Sequence, residues 1–130
     1  MGTNYYLTKT LCKHCNSKEV LHIGKSSAGW YFLLHVIPFR GINDLEDWTP
    51  LFDKFPISNE YDEIISKEEM MKIITERKWK SSFLGPSLED FLSHNPFAEV
   101  GINNLVRMKI GNHCLKHGKG TWDCCVGEFS

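Results

Sequence analysis

Residues 19–37 read EVLHIGKSSAGWYFLLHVI, and this stretch decides the fold class. Residues 19–24 and 30–37 are dense in aliphatic, β-branched and aromatic side chains, whereas Lys25-Ser26-Ser27-Ala28-Gly29 between them has the composition of a turn. Two such runs joined so closely predict an antiparallel hairpin centred near Ser27. Just upstream lies Cys12-Lys13-His14-Cys15, a Cys-x-x-Cys knuckle, and before it residues 3–8 alternate loosely and are rich in tyrosine, as a further strand would be. A knuckle beside a hairpin is the core of a zinc ribbon. A full ribbon carries a second Cys-x-x-Cys on a similar hairpin, and this chain has none.

Beyond the hairpin the pattern becomes helical. Residues 44–48 suggest a short helix stopped by Pro50, and Phe52, Phe55 and Pro56 a loop pinned by aromatics. Ser66-Lys67-Glu68-Glu69 is a capping box, with Met70, Ile73 and Ile74 following at helical spacing. A second, shorter helix is expected from Ser87, behind Pro86, burying Leu88, Phe91 and Leu92 until Asn95-Pro96 ends it. Residues 105–110 alternate Val106, Met108 and Ile110 against Arg107 and Lys109, a half-buried strand, and residues 121–126 read as the last strand. The expected fold class is α+β, a small antiparallel sheet with a zinc-knuckle hairpin and two helices. At 130 residues, 42% of them hydrophobic, the chain suits one domain over residues 1–130.

The cysteines and histidines give the sharpest chemical signal. Cys12 and Cys15 offer a stiff two-thiolate bite in a polar turn, and His113-Cys114-Leu115-Lys116-His117 supplies imidazoles four residues apart near the other end. The predicted metal ligands are therefore Cys12, Cys15, His113 and His117 around Zn2+, with His35 and then Cys114 as replacements for either histidine. In a hairpin centred near Ser27, His35 lies opposite residue 19 and close to the knuckle, while His22 lies further off. Four protein ligands would make the zinc structural. Cys124 and Cys125 are adjacent, so on a strand they point to opposite faces and at most one joins a given site.

Gly24-Lys25-Ser26 resembles the end of a P-loop, but Glu19 stands where the first glycine belongs and no helix follows. What is left is a short cationic loop, with Lys25 and Ser26 as an anion-binding candidate and an ordinary hairpin turn as the plain alternative. The net charge of −1 conceals a division: residues 1–40 carry five basic and one acidic side chains, and residues 41–63 one basic and seven acidic. The whole lacks the basic excess of a protein that binds nucleic acid through phosphates, so nucleic acid is not the expected partner. The acidic stretch, interleaved with aromatics, suits a protein interface at Asp44, Glu46, Asp47 and Trp48, although a solvated face is the simpler reading of a charge run. The opening MGTNYYLTK has neither a signal-peptide pattern nor a membrane span, which points to the cytoplasm.

Residues 1–6 (MGTNYY), residues 21–30 (LHIGKSSAGW), residues 120–123 (GTWD) and the closing residues 127–130 (GEFS) resemble a family of small, uncharacterised proteins encoded by bacteriophages. The resemblance implies a phage accessory protein in the host cytoplasm, one that binds a host protein, such as an antiviral-defence enzyme, and inhibits or redirects it. It transfers no catalytic residues. The competing expectation is a zinc-dependent hydrolase of a nucleotide or phosphodiester, with His22, Lys25 and His35 lining an open metal site.

Overall fold

A computed structural model describes residues 2–12, 14, 17–27, 30–77, 93, 98–110 and 114–127. Its strands are β1 (Gly2–Cys12), β2 (Ser17–Ser27), β3 (Phe32–His35), β4 (Ile57–Asn59), β5 (Ile64–Ile65), β6 (Ala98–Val100), β7 (Val106–Met108), β8 (Cys114–His117) and β9 (Trp122–Cys125). Its helices are α1 (Leu45–Lys54) and α2 (Lys67–Thr75). The α+β class expected from the sequence is the class observed. The sheet is larger than expected, with seven strands in the order β5-β4-β1-β2-β3-β9-β8, and β6 pairs with β7 in a second, two-stranded sheet. All pairings are antiparallel except that of β3 with β9, which run parallel.

The frame of the sheet is the β1–β2 hairpin, not the β2–β3 hairpin alone. Tyr5 pairs with Gly24 and Tyr6 with His22, so Ile23 is an extra residue in β2, a bulge, and Leu21 and Ile23 both point into the core. Gly24 permits the tight approach there, because a Cβ on it would fall 2.2 Å from the Leu33 carbonyl oxygen. Strand β2 runs on to Ser27, and β3 meets it at Gly24↔Leu34 and Lys25↔Leu33. The hairpin is thus centred two residues later than the turn composition suggests. That shift sets His22 beside His35 instead of apart from it.

One face of the large sheet is apolar and carries both helices. Tyr5, Leu7, Leu21, Ile23, Phe32, Leu34, Ile57 and Cys124 form a single cluster with Leu45, Trp48 and Phe52 of α1 and Met70 and Ile74 of α2. The helical residues recur every three or four positions, so each helix turns one stripe to the sheet. Helix α1 does not stop at Pro50 but runs through it to Lys54. The missing proline N–H would orphan the Glu46 carbonyl, and the Thr49 hydroxyl partly answers this by donating to Leu45 O at 2.8 Å and Glu46 O at 3.4 Å. Helix α2 opens as the capping box predicts, with Ser66 Oγ accepting from the Glu69 amide at 3.1 Å. The second helix expected from Ser87 lies outside the described residues, Ser93 apart.

Arg77, just past α2, fastens the far end of β2. Its guanidinium donates to Ser26 Oγ at 2.8 Å, Ser27 O at 2.7 Å and Trp30 O at 3.0 Å. Lys25 and Ser26 are therefore strand residues, paired with Asn4 and Thr3, rather than part of the turn, and the serine hydroxyl accepts from Arg77. Trp48 is also corrected. It is wholly buried and its Nε1 donates to His35 O at 2.8 Å, so it is a core residue, not an interface one.

Candidate metal centre

The opposite face of the large sheet collects ionisable side chains. Along β9, Asp123 and Cys125 point away from the helices while Cys124 joins the apolar cluster, as the alternation of a strand requires. Strand β8 answers them with a bulge. Cys114 pairs with Cys125 and Lys116 with Cys124, so Leu115 is the extra residue, and His117 pairs with Asp123. Cys114 and His117, three apart, would face opposite ways on a regular strand. The bulge brings them to one side.

Cys114 Sγ, His117 Nδ1 and Asp123 Oδ1 form a compact group, every donor atom within 4.8 Å of the others. The Sγ to Nδ1 distance is 4.0 Å and the Nδ1 to Oδ1 distance 3.0 Å. Zinc bonds of about 2.0 Å to nitrogen or oxygen and about 2.3 Å to sulfur give tetrahedral edges of roughly 3.3 to 3.6 Å, between those two values. The outer nitrogen of His117, Nε2, faces Glu99 Oε1 of β6 at 3.5 Å. A carboxylate on the far nitrogen is the usual way to orient a ligating imidazole. This buried Cys/His/Asp group can hold a metal ion.

Arg107 of β7 completes the surroundings. Its guanidinium grips Asp123 in a two-point ion pair, Nε meeting Oδ2 at 3.3 Å, and lies 4.0 Å over the Tyr31 ring. Asp123 is only 1% exposed, so the arginine neutralises a carboxylate that water cannot reach. Burial, and then the Asp123 carboxylate, push the Cys114 thiol above its ordinary value, and burial takes Cys125 up to about 12. Cys114 and Asp123 both approach Nδ1 of His117, while Glu99 faces Nε2.

Of the predicted ligands, His117 lies in this group; its segment is a strand, not the helical turn that the four-residue spacing suggested. Cys114, a replacement ligand in the sequence reading, is beside it. Cys12 ends β1, with its side chain outside the described atoms, and Cys15 and His113 lie outside the described residues. Strands β2, β3 and β9 stand between β1 and β8, four steps of about 4.8 Å across the sheet. Asp123 is the member that sequence reasoning missed. Its signal was a lone acid between Trp122 and the two cysteines of an otherwise apolar strand, a charge that burial obliges to find a partner.

His22 and His35 make a second polar group on the same face, with Nδ1 atoms 3.3 Å apart. His22 Nε2 meets Asn4 Oδ1 at 2.9 Å, an oxygen that can only accept. Burial, followed by the neighbouring His35, lowers the His22 pKa to about 4. The interface candidates are dispersed in role. Asp44 caps α1 through Leu45 N at 2.7 Å and pairs with Lys116 at 2.9 Å, leaving Glu46 and Asp47 as the exposed acids. Among the described residues no helix is long and apolar enough to cross a membrane.

No family model, no curated protein and no solved structure matches the chain.

Proposed function

We propose that this chain is a metal-braced binding protein, with zinc at Cys114, His117 and Asp123 and its activity exercised by capturing another protein. The orientation of His117 carries the reading: Nδ1 faces the thiol and carboxylate, and Nε2 faces Glu99. A mixed thiolate, imidazole and carboxylate set suits zinc among the common divalent ions. The ion would fasten the edge hairpin β8–β9, and through Glu99 and Arg107 the small sheet above it. In that reading the metal contributes to folding. Purified protein should carry one zinc per chain, lost in His117→Ala. Stoichiometric absence of metal, with stability indifferent to chelator, would sink this part.

For the partner, the phage resemblance points to a host protein, and a surface cavity of about 370 Å³ supports a protein contact. Leu21, Ile42 and Leu51 line its apolar part, and Lys9 and Arg40 line it together with Glu46 and Asp47, so a segment presenting an apolar side chain flanked by charges of both signs fits it. Reversal of Glu46 and Asp47 to lysine should abolish capture of the host protein without unfolding; Asp44, which caps the helix, is left intact. Capture undiminished by the reversal discards this surface.

One observation favours the hydrolase instead. Three ligand atoms leave a fourth position for an activated water, and the His22–His35 pair lies on the same face of the sheet. The number of protein donors on the metal decides between the two.

A further inference from the structure

The residues around the triad form a two-by-two patch. Cys114 is paired across the strands with Cys125, and His117 with Asp123, so the four side chains occupy the corners of one face of a single hairpin. The Cys125 sulfur lies outside the tight three-atom group, but its residue directly opposes Cys114 across the hairpin. Both cysteines are buried and free. We infer that Cys125 is the fourth ligand, and that the metal site is closed, made of two thiolates, one imidazole and one carboxylate, all within residues 114–125. The inference rests on the metal reading above and sharpens it.

Charge supports closure. A divalent ion is balanced by one thiolate and the Asp123 carboxylate, which leaves the guanidinium of Arg107, only 13% exposed, as an uncompensated positive charge beside the site. Glu99 faces the outer nitrogen of His117 but its side chain is 44% exposed, so water screens it. A second thiolate restores neutrality inside the buried patch, where an unpaired charge is most costly. It also fills the tetrahedron, which makes the ion structural and removes the position a hydrolytic water would need. Each thiol then gives up its proton to solvent and bonds the metal, two protons being released in all.

Cobalt(II) titration of the metal-free full-length chain tests this, since each thiolate adds to the sulfur-to-cobalt charge-transfer band. The wild type should show a tetrahedral spectrum whose band falls by about half in Cys125→Ser and stays unchanged in Cys124→Ser, whose sulfur faces the core. A band unaffected by Cys125→Ser overturns the fourth ligand but leaves the three-ligand reading standing. No tetrahedral cobalt spectrum in the wild type overturns both. Should Cys125→Ser fail to fold, X-ray absorption of the zinc-loaded wild type counts the sulfurs directly: two support the inference, and one refutes it.

Discussion

The two faces of the large sheet are built from the same strands to different rules. On the helix side Leu7, Ile23, Phe32, Leu34, Trp48 and Ile74 are packed without charge, and burial of apolar area does the work. On the other side His22, His35, Cys114, His117, Asp123 and Arg107 are held by paired polar contacts, each positioned by a neighbour. The first face tolerates imprecision in direction but not in volume. The second depends on where each atom points, and the bulge at Leu115 is what brings Cys114 and His117 to one side.

That contrast can be tested in order of expected effect. Trp48→Ala should cost about 3 to 5 kcal/mol in urea unfolding, through a cavity at the centre of the apolar face. A loss below about 1 kcal/mol would mean that α1 is not integral to the core. Asp123→Ala should cost about 3 kcal/mol even in metal-free protein, because it leaves Arg107 buried without its carboxylate. Equal stability of the variant would show that the polar face contributes nothing by itself.

The third test is pH. The unfolded chain protonates His22 near the ordinary value, the folded chain only near 4, so protons are taken up on unfolding between about 6.5 and 4. The contribution is intact above that window and falls away as pH drops through it, by about 2 to 3 kcal/mol in total. A His22 ring resonance titrating at the ordinary value would remove the effect. The smallest change should come from Ser66→Ala, about 1 kcal/mol, since it removes a helix cap away from both faces.

Legibility in the sequence divides along the same line. The apolar face is largely readable: the capping box at Ser66 marks α2, the strand character of residues 30–37 and 121–126 is evident, and Cys124 and Cys125 have to part company. Helix α1 reads as too short because Pro50 normally ends a helix, and the hydroxyl of Thr49 that eases its passage is a detail of geometry. The polar face is not readable in the same way. His117 and Cys114 stand out by type, but their meeting depends on the bulge at Leu115, and no local pattern of Lys116 or Leu115 announces one. The pairing of His22 with His35 depends on a hairpin that continues past its apparent turn. Residue type thus names candidates, while register alone chooses among them.

Strand β9 lies between β3 and β8, parallel to the first, although residues 36–121 separate the two in the chain. During synthesis the growing polypeptide must therefore wait for residues 122–125 before the middle of the sheet closes, and until then the apolar edge of Phe32 and Leu34 stays open to any other strand. Ribosomal stalling or premature termination would leave a sticky intermediate, and chaperone demand should be concentrated in the interval before residues 122–125 emerge.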